Sequence, residues 1–119
     1  MTEHAEPTLF ERIAAREIPA QIVAETDRVI AFHDIAPKAP VHVVVTTKEQ
    51  GGYRDVVELA AGDPALLAEL VAVARDVADE LSDGDFRLVF NTGGNAGQTV
   101  FHVHAHVLAG GLEEGSLAG

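Results

Sequence analysis

Three histidines, His102, His104 and His106, alternate with Phe101, Val103, Ala105 and Val107 in a chain of 119 residues that carries six histidines altogether. Strict alternation is the period of a β-strand, whose successive side chains point to opposite faces. The apolar set is expected to face a core and the imidazoles to share the other face. Just upstream, Gly93, Gly94, Asn95, Ala96 and Gly97 form a stretch with little side-chain bulk. Backbone N–H groups in such a loop can approach an anion closely. Imidazole is substantially neutral near pH 7, so one ring nitrogen offers a lone pair and the other a proton. A row of imidazoles therefore sits beside a phosphate-sized cradle. Two other accounts stand beside it. Histidines two apart on a strand can share a zinc, copper or nickel ion. A solvated strand face that happens to be rich in histidine is the plainest account.

The remaining elements must hold this row in place. Residues Leu9 to Ala15 read as a short helix, with Thr8 as N-cap, Glu11 closing a capping box, and Phe10 and Ile13 as its apolar edge. Ile18-Pro19 stops it, because the residue before a proline avoids the α region. Gln21 to Glu25 and Val29 to His33 are strand candidates around a Thr26-Asp27 turn. Asp34 to Pro40 reads as a rigid loop, and Val41 to Thr46 as a β-branched strand that contains His42. A short helix is expected within 54–61. Asp63-Pro64 is a good helix start, and Leu67, Leu70, Val71, Ala74, Val77, Ala78 and Leu81 draw one apolar stripe over 64–81. Leu66 and Val73 lie outside that stripe, so a second covered face is expected, against the sheet or a partner subunit. Phe86 to Thr92 reads as a strand, paired antiparallel with the histidine strand. The sum is an α+β fold: an antiparallel sheet of about five strands, one main helix and a short N-terminal helix.

Length supports a single domain over 1–119, with an ordered core over about 8–110 and tails on either side. No cysteine is present, so a disulfide frame and a thiolate metal site are excluded. The polar N-terminus lacks the apolar segment of a signal peptide, and no apolar run approaches the ~20 residues of a membrane span. A cytoplasmic setting is expected. Net charge is −11, and Lys38 and Lys48 are the only lysines. That balance argues against nucleic acid as a partner, which needs a basic footprint. A phosphorylated ligand must be held by local donors against the overall field.

His102-Val103-His104-Ala105-His106-Val107-Leu108 resembles the motif that names the histidine triad superfamily. Further stretches agree, in order: Glu17 to Ala20, Ala31-Phe32-His33-Asp34-Ile35, Pro37, Pro40 with His42, and Asn91 followed by Ala96 to Val100. Together they are similar to the nucleotide-binding (Hint) branch, from about Leu9 to Gly110. The resemblance implies a homodimer that hydrolyses purine nucleoside phosphoramidates or related nucleotidyl conjugates. It implies His104 as nucleophile, with His42 and His102 as supporting partners. His106, Asn91, Gln98 and Thr99 would contact the α-phosphate and leaving group. Asp34 would hold the ribose, and Phe32 and Ile35, with Phe10 and Ile18, would flank the base.

The residue types suit that reaction. A neutral histidine can form a covalent nucleotidyl intermediate that water resolves. Neighbours two residues away lie ~7 Å along a strand, so one phosphate could touch two of them. Donors from Gln98, Thr99 and loop amides would stabilise the non-bridging oxygens, and a protonated neighbour could serve the leaving amine. No metal or other cofactor is needed. Two departures from the family stand out. The tail lacks the aromatic and proline residues common after the triad strand, and Thr46 to Gln50 lacks the proline and histidine common there. With cysteines also missing, a structural zinc is not expected. The alternative to an enzyme is a purine-nucleotide sensor or adaptor with little catalysis.

Overall fold

The computed structural model describes residues 6–114, so the ends of both expected tails, 1–5 and 115–119, lie outside the described residues. Helix α1 (Leu9–Ala14) carries the full capping box. The Glu11 amide donates to Thr8 Oγ1 at 3.1 Å, and the Thr8 amide donates to Glu11 Oε1 at 2.9 Å. It ends slightly earlier than its sequence suggests, because Arg16 turns the chain through φ +64° before Pro19 is reached.

Among the described residues five antiparallel strands follow: β1 (Ile22–Glu25), β2 (Val29–His33), β3 (Val41–Thr47), β4 (Arg87–Val89) and β5 (His104–Ala109), in the order β1-β2-β3-β5-β4. Between β3 and β4 run α2 (Val56–Gly62), capped by Asp55, and α3 (Pro64–Ser82), capped by Asp63. The expected fold class is therefore the observed one. Strand β4 is shorter than the alternation of Phe86 to Thr92 suggests. Its pairing with β5 runs only from Arg87↔Leu108 to Val89↔His106, after which the glycines take the chain away.

Pairing fixes which residues share a face. Val29, Ala31, Val43, Val45, Ala105 and Val107 form the core side, covered by α3. The covering face of α3 is Leu66, Leu70, Val73, Ala74, Val77 and Ala78. This corrects the stripe read from sequence: Leu66 and Val73 are core, whereas Val71 is 38% exposed. The helix carries more apolar positions than one face needs, so periodicity alone left the rotation about its axis open. Phe101, which lies outside β5, is likewise exposed rather than core.

The opposite sheet face holds Phe32, Val44, His104 and His106, with α1 laying Phe10 and Ile13 over one end. Among the described residues no helix is long and apolar enough to cross a membrane.

Candidate functional site

The sheet face opposite α3 opens into a cleft of about 710 Å³, bounded by α1, the 34–40 loop and the glycine loop. This lies within the usual size of small-molecule sites, roughly 300–1,000 Å³. His42, His104 and His106 line it.

Hydrogen-bond polarity assigns a tautomer to each ring. The Lys38 amide donates to His42 Nδ1 at 2.9 Å, so the neutral His42 ring carries its proton on Nε2. His42 Nε2 lies 2.9 Å from His106 Nδ1 and donates to it, which leaves the His106 proton on Nε2. His104 Nδ1 lies 2.7 Å from the His102 carbonyl, an obligatory acceptor, so His104 keeps its lone pair on Nε2. The two rings on β5 thus differ in character. Their centroids are 5.3 Å apart. His104 has a free lone pair, and His106 has a free N–H. Burial lowers the pKa of all three: His106 falls to about 4, helped by His104 and His42 nearby, while His42 and His104 shift in the same direction. The Asp34 carboxylate opposes each of these shifts.

His102 does not join that row. It is fully buried beneath α1 and absent from the cleft wall. Its Nε2–H donates to the Thr47 carbonyl at 2.7 Å, and its Nδ1 accepts from the Thr8 hydroxyl at 2.6 Å. Burial holds its pKa at about 4. His102 and His42, expected as supporting partners of His104, meet the β5 row by different routes. His102 reaches His104 through its backbone carbonyl, and His42 bonds His106 instead. The His102 ring ties the N-cap of α1 to β3, and α1 in turn sets the Phe10 ring edge-on at 4.8 Å from His104.

The other expected residues divide. Asp34, Phe32, Ile35, Asn91 and Thr99 line the cleft, as do Phe10 and Ile18. Asp34 Oδ1 accepts the Ala36 amide at 2.8 Å, and Oδ2 lies 3.3 Å from His42 Nε2. Gln98 does not line it. Its Nε2 donates to the carbonyls of Arg54 at 2.6 Å and Val100 at 3.1 Å, and its Oε1 accepts the Gly93 amide at 2.8 Å. Both amide protons are used, so Gln98 braces the glycine loop from beneath instead of offering a donor to phosphate. Much of the expected amide cradle is also engaged within the loop: the amides of Ala96 and Gln98 donate to Gly93, and that of Gly97 to Gly94. Gly93 and Gly97 reach φ +90° and +95°, which suits glycine and closes this turn. Sequence reading missed the Lys38 amide, which leaves no side-chain signal, and the Thr8 and Thr47 brackets on His102.

Asp34, His42 and His106 each offer a ligand atom within 4.8 Å of the others, the spacing of a metal site. The donor set does not fit one. A histidine that binds metal through Nε2 carries its proton on Nδ1 and gives it to an acceptor. His42 Nδ1 faces an N–H donor instead.

The fold and cleft define a small antiparallel α+β domain with a histidine-lined site. A family model described as "HIT domain" matches residues 15–111. An uncharacterized HIT-like protein of Synechocystis sp. is 48% identical over 110 residues, covering 89% of this chain and 92% of that one. An adenylylsulfatase of Arabidopsis thaliana is 37% identical over 106 residues, covering 87% and 71%. A solved HIT family hydrolase from Clostridium thermocellum superposes with a TM-score of 0.82 at 40% identity, covering 90% of this chain and 93% of that structure. The chain belongs to the HIT domain family.

Proposed function

We propose that the protein hydrolyses purine nucleoside phosphoramidates or related nucleotidyl conjugates, releasing a nucleoside monophosphate through a covalent intermediate on His104. The observation that carries this reading is the pair of opposed ring nitrogens in one cleft, a lone pair on His104 and an N–H on His106. The His104 Nε2 lone pair forms a bond to phosphorus. The phosphorus–nitrogen bond of the substrate breaks, its electron pair leaves with the amine, and the amine takes a proton from solvent. The charge that develops on His104 is shared through Nδ1–H with the His102 carbonyl. His106 Nε2–H and the Thr99 and Asn91 side chains donate to the phosphoryl oxygens or leaving nitrogen. Water then attacks phosphorus and returns His104 to its neutral form. Asp34 holds the ribose hydroxyls, and Phe10, Ile18, Phe32 and Ile35 flank the base. The relative named an adenylylsulfatase supports a nucleotidyl-conjugate substrate. A homodimer and a cytoplasmic setting belong to the same reading. Exposed Val71 on α3 is one apolar residue a second subunit would cover.

The test is turnover of adenosine 5′-phosphoramidate with chelator present, wild type beside His104→Ala, together with rapid-quench capture of nucleotidylated protein. Turnover and capture in wild type alone support the proposal. Tight nucleotide binding without turnover in either protein would replace it with a sensor, and turnover abolished by chelator would replace it with metal chemistry.

A further inference from the structure

The misfit between the Asp34, His42 and His106 triangle and a metal traces to one backbone group. Lys38 lies in the loop between β2 and β3, and its amide reaches His42 Nδ1 at 2.9 Å. That loop is pinned at several points. The Asp34 amide donates to the His42 carbonyl at 2.9 Å, Asp34 Oδ1 accepts the Ala36 amide at 2.8 Å, and Pro37 and Pro40 restrict what lies between. The amide therefore cannot turn away without dismantling the loop, and a backbone N–H cannot become an acceptor.

We infer that the Lys38 amide is a tautomer lock, which fixes the direction of the His42–His106 hydrogen bond and closes the Asp34, His42 and His106 triangle to divalent transition metals. The polarity propagates in one direction: Lys38 N–H to His42 Nδ1, His42 Nε2–H to His106 Nδ1, and His106 Nε2–H into the cleft. To bind zinc through Nε2, His42 would have to carry a proton on Nδ1 against the amide hydrogen. To become a cation, His106 would have to carry one on Nδ1 against the His42 Nε2 hydrogen. The lock therefore makes His106 a hydrogen-bond donor and not a proton-transfer acid. The groups that bear on the pair electrostatically are Asp34 and the Lys38 ammonium from the loop and His104 from β5. Lys38 acts through His42 and is a positioning residue. The consequence for His106 rests on the proposed reaction, but the lock itself does not, and its test uses no turnover.

Imidazole nitrogen spectra of the wild-type full chain near neutral pH read the tautomers directly. The expected result is an unprotonated, hydrogen-bonded Nδ1 and a protonated Nε2 on His42, with the same assignment on His106. A protonated His42 Nδ1 would overturn the inference, even if no variant folds. Calorimetry with zinc chloride alone then compares Lys38→Pro, which lacks the amide hydrogen, with Lys38→Gln, which keeps it. Both lack the ammonium, so their difference isolates the N–H. Partners of a ligand histidine commonly shift metal affinity by about 10–100-fold. Lys38→Pro is expected to bind zinc at least about tenfold more tightly than Lys38→Gln, and adding Asp34→Asn should cancel the gain. Equal affinities in two folded variants would overturn the lock.

Discussion

Replacing His102 by phenylalanine keeps a ring beside Phe10, which His102 meets at 5.5 Å, but removes both ring nitrogens. At about pH 7.5 the buried Thr47 carbonyl loses its donor and the Thr8 hydroxyl its acceptor. Leaving buried polar groups unpaired costs about 1–3 kcal/mol each, and Thr8 still serves Glu11, so the expected loss of stability is about 2–4 kcal/mol. Acid changes the comparison. His102 titrates at about 4 when folded and near 6.5 otherwise, so the unfolded chain binds the proton first as pH falls. Its contribution is complete above 6.5 and is lost progressively towards 4, which by linkage weakens the wild type by about 2 kcal/mol at about pH 5. The phenylalanine variant carries no such group, and His106 contributes equally to both proteins. Urea unfolding at fixed protein concentration should therefore show a gap of about 2–4 kcal/mol at about pH 7.5 that narrows by about 2 kcal/mol at about pH 5. A gap that stays constant would refute a buried, neutral His102 that ties α1 to β3.

Asp34→Ala should raise the Michaelis constant for a nucleoside phosphoramidate by about tenfold or more, the worth of a hydrogen bond to a charged group. The turnover number should fall less, and an unchanged Michaelis constant would contradict the ribose role. Gln98→Leu frees the Gly93 amide and two carbonyls, and is expected to destabilise the chain by about 2 kcal/mol and speed amide exchange at Gly93. Unaltered exchange there would show that the loop holds itself. Asp83 sits at φ +56° just beyond the C-terminal end of α3, where a left-handed backbone and a negative helix terminus both oppose it. Asp83→Gly is expected to stabilise by about 1 kcal/mol, read as a raised urea midpoint.

Much of the fold was legible because local rules agreed with the tertiary outcome. Thr8 and Glu11 announced α1, Asp63-Pro64 announced α3, and alternating apolar residues placed the sheet strands. The rotation of α3 was not legible, since Leu66 and Val71 are equally apolar and only the position of the sheet decides between them. The cleft residues His104, His106, Asp34 and Thr99 were legible as residue types at suggestive spacing. Their roles depended on partners far away in sequence. Alternation puts His102 level with His104, yet α1 and Thr47 enclose it, because the chain before β5 passes under the N-cap of α1. Gln98 looked like a phosphate donor until the Arg54 carbonyl, 44 residues away, claimed its amide.

The two walls of the cleft differ in how freely they can change. On one side, Phe10 rests against His104, and its helix hangs from His102 through Thr8. Any remodelling of that wall to suit another base disturbs the ring proposed to attack phosphorus. On the other side, Ile35 is 96% exposed. Under the proposed base-flanking roles, natural drift or laboratory selection for a new nucleobase has an inexpensive route through position 35 and a costly one through position 10, so substrate range should diversify from the rim inward.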